Sequence, residues 1–374
     1  MLENKKTALV HYWLTGMRGG EKVVESICDV FPDIDIFTLV YNSARISESI
    51  KKHKINTSFI QKFPLAKKKY QTYLPFMPVA IEQFDLSDYD IVISSESGIA
   101  KGVLTNPETC HFCYCHTPMR YLWNMYFDYL KNERVGFLKR KFIEKFFNYL
   151  RVWDLATASR VDYFISNSNN VKKRILKYYR RDSTVIYPPV DVENMIFSAK
   201  KEDYYLIVSQ LVSYKRIDIA VRAFNELKKE LIIVGEGGEY KKLKKMAKPN
   251  IKFVGWQEAE NLKQFYAGAK AFIFPGEEDF GITPVEAQAS GTPVIGFGRG
   301  GLLETVVEGK TGFFFYKQDH NDLIDIVEDF ESKPDMFDPY KVRGNSLGFS
   351  RERFERDLRK FMEEKYEEYR RTFL

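Results

Sequence analysis

The run Glu278-Asp279-Phe280-Gly281-Ile282-Thr283-Pro284-Val285-Glu286 brings two carboxylates, a glycine and a helix-start signature into one short segment. It follows the apolar residues 271–275 and reads as a strand, a loop and a first helical turn. Thr283 is a natural N-cap, Pro284 suits the first helical position, and Gly281 lets the main chain approach a ligand closely. The outward-facing amides of such a start, around Ile282 and Thr283, would stabilise a diphosphate. Thr283-x-x-Glu286 is also a capping box, which could be the whole task of Glu286. Glu278 has no such structural use and lies at the carboxyl end of a strand, where ligands bind in open α/β sheets.

Two further groups carry chemical potential. The pair Gly19-Gly20 follows the first apolar run and opens a helix, which permits close approach to a phosphate or sugar, although it is not a dinucleotide fingerprint. Cys110, Cys113 and Cys115 crowd beside His111 and His116, residue types that ligate zinc. A closed zinc site draws on two separated ligand pairs, and no second cluster is present. Alternation also sends Cys113 and Cys115 to one face of a strand and Cys110 and His116 to the other. The cysteines therefore read as a buried strand, with no metal expected.

The elements that must position these residues alternate in an α/β rhythm. Strand candidates in the first half lie at residues 8–12, 34–40, 91–94, 110–114, 161–167 and 185–187, the last stopped by Pro188-Pro189. A second series falls at 205–209, 231–234, 251–254, 271–274, 293–296 and 312–315. Two parallel sheets follow, in domains at 1–190 and 203–348, with a polar, proline-led boundary near 188–203. Residues 349–374 form a terminal helix with Phe354, Leu358, Phe361, Met362, Tyr369 and Phe373 on one stripe.

The bulk properties agree with this division. A chain of 374 residues is too long for one ordinary core. With 44% hydrophobic and 29% charged residues it falls outside the collagen-like, disordered and disulfide-scaffold classes. No leader or membrane-spanning run is apparent, so a cytoplasmic location is expected. The net charge of +6 is clustered, and without a nucleic-acid-binding signature it suggests anionic lipid or nucleotide phosphate, with no nucleic-acid partner.

The segment from Glu278 to Glu286 resembles the Glu-x7-Glu signature of glycosyltransferase family 4, retaining enzymes of the GT-B fold. Its continuation, residues 287–295, Gly300-Gly301, Glu304-Thr305-Val306 and Lys310-Thr311-Gly312, is similar in order and spacing. The resemblance implies that Glu278 contacts the donor sugar and Glu286 the ribose. Residues 209–218 resemble the loop after the first strand of the donor domain, with Lys215 matching the phosphate-binding lysine. Gln210 stands where an arginine is usual, so that either Arg216 supplies that charge or the donor phosphate is held more weakly. Gly19-Gly20 matches the loop facing the donor. Residues 114–123 are similar to a mannosyltransferase-like subgroup, in which His116 is the active-site histidine near the sugar's primary hydroxyl. The match spans about residues 7 to 315. It implies two Rossmann-like domains facing a cleft, with the C-terminal helix crossing back.

What the resemblance implies for the reaction is retaining transfer of a hexose from a nucleotide diphosphate sugar, with no cofactor and no metal. Helix-start amides and Lys215 would serve the diphosphate. Residues 59–70 and 137–147 mix bulky apolar side chains with lysine and arginine, as segments on an anionic membrane face do, and as core-packed helices with solvated lysines also do. A lipid-linked or oligosaccharide acceptor in cell-surface polysaccharide synthesis, at the inner face of the plasma membrane, is the matching partner. GDP-mannose is the expected donor and UDP sugars remain open. The competing readings are a nucleotide-sugar epimerase of the same fold and a non-catalytic donor-binding assembly protein, the latter motivated by Gln210.

Overall fold

The computed structural model describes Leu2 and residues 5–132 and 137–373, except the side chains of 128, 131, 132 and 137–139. The chain divides into two compact units: residues up to Pro189 together with those from Phe354 on, and Val190–Arg353. The polar segment after Pro189 thus belongs to the second unit.

The first unit is built on a parallel sheet of β1 (Thr7–His11), β2 (Asp35–Thr38), β3 (Ile55–Thr57), β4 (Ile91–Glu96), β5 (Cys110–Cys115), β6 (Tyr163–Ser166) and β7 (Thr184–Val185). The strand order is β3-β2-β1-β4-β5-β6-β7. The chain therefore reverses its direction of travel between β1 and β4, the topological switch point of a doubly wound sheet. Alternation along β1 sends Leu9 to one core and Ala8 and Val10 to the other. The same alternation separates Cys110 from Cys113 and Cys115 along β5, all three buried.

The helix Arg351–Phe373 packs Phe354, Leu358, Phe361, Met362, Tyr366 and Tyr369 into the Leu9 core. Phe373 departs from the expected stripe: it is exposed, with its ring against that of Tyr369, while Tyr366 is buried instead. Tyr369 also donates its hydroxyl to the Thr109 carbonyl at 3.2 Å.

The second unit repeats the plan with β8 (Tyr204–Val208), β9 (Glu230–Val234), β10 (Ile251–Gly255), β11 (Ala271–Phe274), β12 (Val294–Phe297) and β13 (Gly312–Phe315). Their order is β10-β9-β8-β11-β12-β13, all parallel, with the switch point between β8 and β11. Among the described residues no helix is long and apolar enough to cross a membrane.

Candidate functional site

Both switch points carry clusters of polar residues at the carboxyl ends of their strands. In the second unit, β8 runs into a 3-10 turn, Ser213–Lys215, and β11 runs into the acidic loop. Because β8 and β11 are neighbours, these loops meet, and Lys215 Nζ forms an ion pair with Glu278 Oε1. Their side chains are only 16% and 24% exposed, so the pair is substantially desolvated. The loop's shape is fixed by its neighbour after β12. Gly301 N donates to the Glu278 carbonyl at 2.8 Å, and a Cβ on Gly301 would lie 2.4 Å from the Asp279 carbonyl oxygen.

The helix that follows, Ile282–Ala289, starts on Gly281 at φ +90°, a conformation that favours glycine. Thr283 and Pro284 lie inside the first turn, so the expected N-cap at Thr283 and the capping box with Glu286 are not formed. Glu286 Oε2 instead accepts from the Tyr266 hydroxyl at 2.9 Å. Burial and the neighbouring Glu286 hold that phenol well above its ordinary pKa, so it remains a donor. Arg216, the expected substitute for an arginine at position 210, is engaged elsewhere. Its guanidinium bonds Asp218 and Gln318, each at 3.2 Å, while Gln210 is exposed.

In the first unit the helix Gly19–Val30 follows β1 after the loop 12–18, with the Arg18 amide donating to Glu21 Oε2 at 3.1 Å. A Cβ on Gly20 would stand 3.2 Å from Tyr12 Oη and 3.7 Å from His116 Nε2, so the helix start lies against the histidine with little room for a side chain. His116 follows β5, and its Nε2 meets Ser95 Oγ at 2.9 Å. Ser95 is the register partner of His11 across β1 and β4, and His11 Nδ1 reaches the same Oγ at 3.0 Å. Desolvation pushes His116 down to about 4 and, with the adjacent His116, pushes His11 down to about 3, so both rings are neutral near neutral pH.

Next to Ser95, Glu96 is fully buried and accepts the Lys101 amide at 3.0 Å. Lys101 Nζ pairs with buried Asp154, which also accepts from Trp123 Nε1 at 2.7 Å and from the Tyr179 hydroxyl. Desolvation raises Glu96 to about 7.

Of the residues expected from the sequence, the structure thus unites Lys215 with Glu278, Gly281, Ile282, Thr283 and Glu286 at one switch point. At the other it unites Gly20 with His116, with Gly19 opening the same helix turn. Sequence reasoning missed His11, Ser95 and Tyr266. The available signal for the first two was polarity at the carboxyl ends of otherwise apolar strands, as in Ile91-Val92-Ile93-Ser94-Ser95-Glu96.

Comparison with known proteins adds to this geometry. Residues 17–194 match the family described as Glycosyltransferase Family 4, and residues 192–344 match Glycosyl transferases group 1. The alpha-1,3/1,6-mannosyltransferase ALG2 of Kluyveromyces lactis is 26% identical, covering 82% of this chain and 72% of its own. The GDP-mannose-dependent alpha-mannosyltransferase of Corynebacterium glutamicum is 35% identical over 34% of this chain and 29% of its own. The chain spans between 46% and 60% of the length of several other curated relatives it matches. The crystal structure of Anabaena HepE in complex with UDP superposes with a TM-score of 0.71 at 15% identity, covering 96% of this chain and 100% of that one. That likeness is one of fold.

Proposed function

Because this chain is a glycosyltransferase of family 4 built on the GT-B fold, we propose that it transfers mannose from GDP-mannose to a lipid-linked saccharide, with retention of configuration and without a metal ion. The observation that carries this reading is the pairing of Lys215 with Glu278 beside the start of the helix Ile282–Ala289. A lysine and unpaired helix amides are what a departing diphosphate requires as negative charge accumulates on it. Glu278 then contacts the donor sugar and Glu286 the ribose, as the family resemblance assigns them.

In the step itself the bond from the anomeric carbon to the diphosphate oxygen breaks, with its electron pair leaving on the diphosphate. The acceptor oxygen bonds to the same face of the sugar, and its proton passes to a leaving-group oxygen. Mannose is favoured by the two mannosyltransferase relatives, and GDP by the one that depends on GDP-mannose.

A membrane-borne acceptor is supported by the surface of the helix Phe137–Thr157. Phe142, Tyr149 and Val152 are 65%, 56% and 64% exposed and share a stripe with Lys145, while Phe146 and Phe147 pack inward. Exposed apolar side chains interleaved with lysine suit an anionic lipid surface. In the other basic segment, Phe59 and Phe63 pack inward, while Lys62, Pro64, Leu65 and Lys67 to Lys69 stand out.

The test is thermal stabilisation by GDP, UDP, ADP and dTDP, with magnesium and with EDTA, followed by transfer of radiolabel from GDP-mannose to extracted membrane lipid. The expected result is the largest shift with GDP, unchanged by EDTA. Preference for UDP would overturn mannose, a shift lost in EDTA would overturn metal independence, and no shift with any nucleotide would overturn donor binding.

A further inference from the structure

Ser95 Oγ is shared by two imidazoles, and a hydroxyl has a single proton to give. Which way that proton points decides the tautomer of both rings. His11 supplies the deciding constraint. Its Nε2 is buried with no hydrogen-bond partner among the described residues, so all its hydrogen bonding runs through Nδ1. A proton on Nε2 would be a buried N–H with no acceptor, whereas on Nδ1 it is given to Ser95 Oγ at 3.0 Å. The His11 proton therefore sits on Nδ1.

Ser95 Oγ accepts from His11 and, among the described residues, has one other side-chain partner, His116 Nε2 at 2.9 Å. Pointing the hydroxyl proton elsewhere would strand a buried donor. The proton goes to His116 Nε2, which makes that nitrogen an acceptor and leaves the His116 ring proton on Nδ1. Nδ1 makes no hydrogen bond among the described residues, and the His116 ring is partly exposed at the end of β5.

We propose that His11 and Ser95 are positioning residues that lock His116 as the Nδ1–H tautomer, so that an imidazole offers an N–H donor to a hydroxyl of the transferred sugar. This rests on the reading of His116 as a sugar-contacting residue. The relay gives a donor of fixed direction without a charge, because His116 is held neutral in this site.

The tautomer is read without substrate, by nitrogen-15 NMR of the imidazole rings. The chain has five histidines, and His116→Gln identifies the signal that belongs to His116. The expected wild-type pattern is a protonated Nδ1 and an unprotonated Nε2. Ser95→Ala should release the lock, mixing the tautomers, and lower kcat about tenfold or more while the donor KM changes less than about twofold. Ser95→Thr keeps the hydroxyl and should restore both. His11→Asn keeps a donor towards Ser95 and should be milder than His11→Leu.

A wild-type His116 protonated on Nε2 would overturn the relay even where transfer is intact, and needs no variant to fold. Unchanged kcat in a folded Ser95→Ala would overturn the positioning role. A correct tautomer in a protein that transfers no sugar would instead sink the functional reading on which the role depends.

Discussion

At the scale of single residues, the pair Lys215 and Glu278 does two opposed things. The carboxylate neutralises the ammonium in the free protein, so a diphosphate entering this site has to take Lys215 away from Glu278. The two substitutions should therefore separate. Lys215→Met removes the cation that the diphosphate needs and should weaken nucleoside diphosphate binding by at least about tenfold, or ~1.4 kcal/mol. Glu278→Gln releases the lysine and should bind the same nucleotide as tightly as wild type or more tightly, while transfer falls by about a hundredfold or more. Titration calorimetry beside a turnover assay reads both. Equal losses of affinity in the two variants would show that the ion pair builds the site and does not compete with the ligand.

At the scale of elements, the helix Ile282–Ala289 shows where the sequence was legible and where it was not. Its existence and its place after an apolar strand follow from periodicity, but its first turn does not. The serine, threonine and asparagine rule favours Thr283 as cap, yet Gly281 at φ +90° turns the chain earlier and takes Thr283 into the helix. Thr283→Ala should consequently leave the melting temperature within about 1 °C of wild type. A true cap lost there would cost about 1 kcal/mol, roughly 2–4 °C in a unit of this size. Gly281→Ala should lower it, since alanine is strained in that conformation. The meeting of Lys215 and Glu278 was legible as two strand-end loops, but their contact depends on β8 lying beside β11, a crossover that periodicity does not report. His11 and Ser95 were hidden for the same reason: each is one polar residue at the end of an apolar run, and only the β1–β4 register pairs them. The short edge strand β3, Ile55-Asn56-Thr57, escaped because it offers a single apolar side chain.

At the scale of the whole molecule, the two units hold different titratable groups and should respond differently to acid. In the first unit His11 and His111 are buried, His116 is largely so, and all three are neutral, their pKa values lowered from 6.5 to about 3, about 4 and about 4, chiefly by desolvation. As the pH falls below 6.5, the unfolded chain takes up protons that the folded unit refuses. Stability is therefore lost at about 1.4 kcal/mol per pH unit for each histidine. Glu96 runs the other way, because desolvation raises it from 4.5 to about 7 and the folded form binds the extra proton across that interval. It offsets about one histidine, and Glu21 and Asp162, also raised chiefly by burial, offset a further part towards the acid end, so the three histidines leave a net loss of stability as the pH falls below 6.5. In the second unit, Glu331 is raised by burial, but hydrogen bonds from Lys270, Tyr205 and Lys229 outweigh this and hold it at about 2. Its contribution is intact above 4.5 and is lost only as the pH falls through the interval below. Acid should thus open the first unit before the second. Tryptophan fluorescence suits the test, because Trp13, Trp123 and Trp153 lie in the first unit and Trp256 in the second is largely exposed. Between pH 7 and pH 5 the urea midpoint read by fluorescence should drop by about 1 M or more, given slopes of about 1–3 kcal/mol per molar urea. Hydrogen exchange should show β1, β4 and β5 losing protection while β8 to β13 keep theirs. A fluorescence midpoint that does not move over this range would mean that the buried histidines titrate normally and that the strand ends of the first unit are wetter than their burial implies.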